Sequence, residues 1–137
     1  MGSVLILDPI SQRFRGYRKD TDPTSLISFN GAKAIPKYTE FQDTALYLQA
    51  NIIIDFFKLN RDGLQRKRAD WLYKAIWQAV KLADLGDTEA TEILRLAQTE
   101  YAPYSNCATC FINLCSSNRP EANEKVSILK RILKVAQ

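Results

Sequence analysis

From residue 38 to the C-terminal end, apolar side chains recur at the three- and four-residue spacing that lines one face of an α-helix, and strong breakers cut the run into helix-length pieces. Such a pattern, sustained over most of the chain, demands several helices packed on one another. Thr39 with Gln42 fits a capping box, and Phe41, Ala45, Leu48, Ile52, Phe56 and Leu59 form the stripe of a first helix. Ile53, Ile54 and Phe57 fill its other sides, the pattern of a centrally packed helix, in which Asp55 needs water, a cation or hydroxyl, or an interface, with pairing to Arg or Lys expected. Asn60 to Gly63 ends it. Leu64 to Leu85 reads as a second helix, with Leu72, Ala75, Ile76, Ala79, Leu82 and Ala83 inward and Gly86 just past its end.

Asp87 caps a third helix running to about Tyr101, before Pro103. Ser105 or Asn106 opens a short fourth through Cys107, Cys110, Phe111 and Leu114. The last starts near Pro120, with Glu121 and Glu124 early and Lys130, Arg131 and Lys134 late, as the helix dipole favours. Val126, Leu129, Leu133 and Ala136 form its inner face.

The first 37 residues differ. Val4-Leu5-Ile6-Leu7 and Ser25-Leu26-Ile27-Ser28-Phe29 are β-type runs, the second closed by the turn dipeptide Asn30-Gly31, and Pro36 marks the junction. The expected fold is mainly α, a four- or five-helix bundle over residues 38–137 behind a short β-type N-terminal element at residues 3–30. At 137 residues this is one domain, with residues 1–37 packed on the helical core.

Composition narrows the chemistry. Histidine is absent, which removes the commonest general base and the commonest metal ligand. The five glycines stand singly, so no phosphate-cradling loop is written. Cys107, Cys110 and Cys115 lack a fourth ligand for zinc and read as small buried hydrophobes in a reducing compartment. Tyr101-Ala102-Pro103-Tyr104-Ser105-Asn106 resembles a short segment of cytidine deaminases, but their zinc-ligand and Glu pattern is missing, and the stretch reads as a helix end followed by a polar turn. No enzyme, cofactor or metal is expected. No apolar run is long enough for a membrane span, and the chain reads as cytoplasmic.

The net charge of +4 is uneven: residues 1–37 carry +3, 38–57 carry −3, 58–81 carry +5, 82–118 carry −4 and 119–137 carry +3. At 100° per residue along the second helix, Arg66, Tyr73, Lys74, Trp77 and Lys81 share the arc opposite the apolar side. Exposed, this arc suits phosphates or an acidic partner; in a central helix the rings pack inward instead. Arg66-Lys67-Arg68 forms the densest basic cluster, and Arg13, Arg15 and Arg18 alternate with aromatics as a candidate arm beside it. The expected role is a non-enzymatic interaction subunit or adaptor docking through this basic-aromatic face, with sequence-nonspecific nucleic-acid binding as the alternative. The expected partner is an acidic protein surface or nucleic acid, and self-association is possible.

Overall fold

The structure, a computed structural model, describes residues 26–134. They are mainly helical, with a two-stranded antiparallel sheet ahead of five helical segments. The expected strand at Val4-Leu5-Ile6-Leu7 and the candidate arm carrying Arg13, Arg15 and Arg18 lie outside the described residues. Strand β1 (Ile27–Asn30) falls where the second apolar run predicts it. Its partner β2 (Lys33–Pro36) lies between the expected turn and the junction at Pro36, a stretch where no strand is expected. The turn between them has Gly31 at φ 60° followed by Ala32, the order that a type II′ hairpin requires. Lys37 N–H extends the pairing to the Leu26 carbonyl at 2.9 Å.

The described residues form two compact units, residues 26–28 with 35–58 and residues 29–34 with 59–134. The hairpin gives its open end to the first and its turn to the second.

In the first unit, helix α1 spans Thr44–Phe56 and is capped by Asp43, whose carboxylate accepts from Leu46 N–H at 3.0 Å. The expected capping box does form, with Thr39 N–H donating to Gln42 Oε1 at 2.8 Å and Gln42 N–H to Thr39 Oγ1 at 3.2 Å. It closes a separate turn one step before the helix, because Asp43 is the stronger cap. The expected stripe is also inverted. Ala50, Ile53 and Ile54 are buried, whereas Leu48, Ile52 and Phe56 are exposed and Phe41 is 96% exposed. Asp55 lies at the exposed side and reaches water instead of the expected cation, with no ion pair among the described residues.

In the second unit, α2 is a continuous rod of three parts: Asp62–Trp71, a π-helical turn Leu72–Ile76, and Trp77–Asp84. It ends in a Schellman motif. Gly86 N–H bonds the Ala83 carbonyl at 2.9 Å and Asp87 N–H bonds the Leu82 carbonyl at 3.1 Å, with Gly86 at φ 90°. Asp87 then caps α3 (Thr88–Ala97) by accepting from Ala90 N–H at 3.0 Å. That helix stops short of the predicted Tyr101. Helix α4 (Ser105–Ser117) and helix α5 (Arg119–Leu133) follow, the latter capped by Asn118 with Pro120 in its first turn. Leu72, Ile76, Phe111, Val126 and Leu129 from α2, α4 and α5 form the centre of one core. Burying such side chains is worth about 1.5–3 kcal/mol each, the main force holding this unit together.

Candidate functional site

The π turn decides where the charged face of α2 points. Such a turn takes in an extra residue, so side chains beyond it are rotated back by about 100° relative to an unbroken α-helix. Arg68, Leu72, Ile76 and Val80, four apart, are consequently all buried, and Leu82, expected inward, is exposed. The predicted arc therefore splits within the π turn: Arg66 and Lys74 line a groove, and the residues from Trp77 on form an aromatic-cation cluster.

Upstream, Arg66, Lys67, Asp70, Trp71 and Lys74 line a groove of about 600 Å³ with Gly63, Tyr104 and Leu133. The three cations outnumber the single carboxylate, so the groove favours an anion. Lys74 Nζ pairs with Asp70 at 2.9 Å, and both side chains are more than half exposed, so the pair leaves Lys74 free to exchange partners at little cost. Arg66 Nη1 donates to the Ile132 carbonyl at 3.2 Å, which ties it to the last turn of α5. Lys67 forms no ion pair among the described residues. Tyr104, at the N-terminus of α4, holds the left-handed conformation at φ 51°. Strain of this kind in a residue other than glycine gathers at binding sites. Trp71 adds a polar feature: its indole N–H is shielded from water and has no acceptor among the described residues.

Downstream, Trp77 is half-buried and meets Phe111 edge-on at 6.2 Å. Lys81 Nζ lies 5.9 Å from its ring centre and the Arg119 guanidinium 6.0 Å. Arg119 is held in turn by Asp84 in a bidentate pair, and its hydrogen bond keeps the Asp84 carboxyl below its ordinary pKa. Tyr73 is likewise half-buried against the core. Trp77 and Tyr73 thus serve packing, and Lys81 belongs to this cluster rather than to the groove.

Arg68 requires a correction. Predicted within the exposed basic cluster, it is 4% exposed. Its Nη1 donates to the Ala32 carbonyl at 3.1 Å and its guanidinium sits 4.9 Å from the Phe29 ring centre, so it anchors the hairpin turn. Burial pulls its pKa below the ordinary arginine value. Two neighbours finish this anchor. Asn60 donates to the Ala34 carbonyl at 2.8 Å and accepts from Ala34 N–H at 2.7 Å, matching the main chain as a neighbouring strand does. Cys107 Sγ donates to the Gly31 carbonyl at 3.3 Å.

Burial pushes the Cys107 thiol up to about 12 and the Cys115 thiol up to about 11, which keeps both protonated at neutral pH. Among the described residues no disulfide joins any of the three cysteines. Arg13, Arg15 and Arg18 lie outside the described residues. Among the described residues no cluster of carboxylates and thiols is placed to hold a metal, and no helix is long and apolar enough to cross a membrane.

Sequence reasoning missed Trp71, Tyr104 and Asn60. Trp71 follows Asp70 on the flank of the predicted arc, and no helical period links Tyr104 to it. Compared with protein-family models, curated proteins and solved structures, the chain matches none.

Proposed function

We propose that this protein is a non-enzymatic interaction subunit that docks an acidic segment of a protein partner in the groove along α2. The observation supporting this reading is the convergence of Arg66, Lys67 and Lys74 with the Trp71 and Tyr104 rings around one groove of about 600 Å³. Cations select carboxylates, aromatic walls take an apolar anchor between them, and a concave site restricts the partner's freedom. Nucleic-acid stacking fits less well, because Trp77, the aromatic ring among the downstream cations, is engaged by Phe111, Lys81 and Arg119.

The test is fluorescence anisotropy with a labelled Glu/Leu peptide and, separately, a labelled single-stranded oligonucleotide, each across a salt series. The reading expects peptide binding that the combined Arg66→Glu, Lys67→Glu and Lys74→Glu substitutions abolish without loss of helix. Oligonucleotide binding with a steep log-linear salt dependence and no peptide binding would favour the nucleic-acid alternative.

A further inference from the structure

Among the described residues, α1 presents an exposed apolar face. Leu48 is 52% exposed, Ile52 42% and Phe56 56%, and their spacing of four sets them along one side of the helix. Ala50, Ile53 and Ile54 lie on the other side and are buried. Phe41, just ahead of the helix, extends the exposed set at 96%. Phe56 and Phe57 pack edge-on with ring centres 4.8 Å apart. With each large side chain able to bury roughly 200 Å², these fractions leave on the order of 500 Å² of apolar surface open. That equals the largest apolar patches of monomers and the apolar share of one side of a homodimer interface.

We propose that this face pairs with the same face of a second copy, the two α1 helices running antiparallel about a twofold axis near Ile52. A self-complementary surface is what such symmetry demands: Ile52 meets Ile52, and Leu48 of each copy meets Phe56 of the other. The charges favour the antiparallel sense. Glu40 and Asp43 stand at the N-terminal end of α1, and Lys58 follows its C-terminal end. Antiparallel pairing brings the lysine of each copy towards the acids of the other, whereas parallel pairing stacks like on like. The helix dipoles then oppose as well. Along α1 itself Asp55 is the one charged residue, at the margin of the face, so no ionic group has to be buried at the centre. This inference is independent of the groove on α2.

Sedimentation velocity of the full chain over a concentration series reads it directly. The wild type is expected to dimerise reversibly. Ile52→Glu should weaken the dimer by at least about a hundredfold while leaving the far-ultraviolet dichroism unchanged, and Leu85→Glu, on an 84% exposed residue elsewhere, should leave it intact. A wild type that stays monomeric at about 0.2 mM, or an Ile52→Glu variant that dimerises like the wild type, overturns the proposal. Should Ile52→Glu lose helix, the conservative Ile52→Cys decides: mild oxidation is expected to link it to itself, and failure to link counts against the pairing. Leu48→Cys alone should remain unlinked and should link when mixed with Phe56→Cys; self-linking of Leu48→Cys contradicts the antiparallel sense.

Discussion

α1 and α2 are neighbours in sequence and opposites in how they distribute charge. The thirteen residues of α1 include one charged side chain, and its apolar residues occupy both sides. α2 carries cations and carboxylates along its whole length, and its buried residues keep to one side. The polar face of α2 has only one place to go, which is water, so its inward face is fixed by the contrast. α1 has no such contrast. One of its apolar faces is buried, and the other stays open at about half exposure.

Shortening one leucine on each helix should separate the two most strongly. Leu72, with no exposure, should lose about 3–4 kcal/mol as Leu72→Ala, because the core cannot close over the cavity. Leu48→Ala, at 52% exposure, should cost under about 0.5 kcal/mol in dilute solution. Urea denaturation measures both, and equal losses would erase the distinction. Next come the hairpin anchors. Arg68→Ala should lose about 2–3 kcal/mol, leaving the Ala32 carbonyl buried without its donor and Phe29 without its covering guanidinium. Arg68→Met, which keeps the packing, should lose less. Asn60→Ala removes both bonds to Ala34, for about 1–2 kcal/mol.

How much of this was legible beforehand differs between the two helices for a physical reason. Helix existence followed from spacing, and the caps at Asp87 and Gly86 followed from residue chemistry. The choice of face on α1 did not, since periodicity groups side chains without saying which group meets the core. On α2 the π turn was invisible, because Leu72 to Ile76 has no proline or glycine to signal it, and it moved Trp77 and Lys81 away from Arg66 and Lys67. Arg68 read as surface charge because arginine is rarely buried, and its acceptor is a main-chain carbonyl that no sequence pattern advertises. The groove itself needs Tyr104 and Leu133, far along the chain from Arg66.

Smaller effects sharpen the same contrast between polar chemistry that is fixed and apolar surface that is not. Gly86→Ala should cost about 1 kcal/mol in urea denaturation, from the positive φ alone, because nothing crowds a Cβ there. The smallest effect is in acid. The Asp84 carboxyl titrates below its usual 3.8 in the folded protein, chiefly through its hydrogen bond from Arg119. Its stabilising contribution is therefore complete above that ordinary value and fades as pH falls through the lowered one. Carboxyl NMR of Asp84 should record a depressed midpoint, and Arg119→Ala should return it towards 3.8.

The groove on α2 is the centre of the functional account, and the protein's two tryptophans report on it separately. In a ¹H–¹⁵N spectrum each indole gives one cross-peak, assignable with Trp71→Phe and Trp77→Phe. Titration with a Glu/Leu peptide should move the Trp71 peak progressively to saturation and leave the Trp77 peak in place. Movement of Trp77 with Trp71 unchanged, or no movement of either, would contradict docking in this groove.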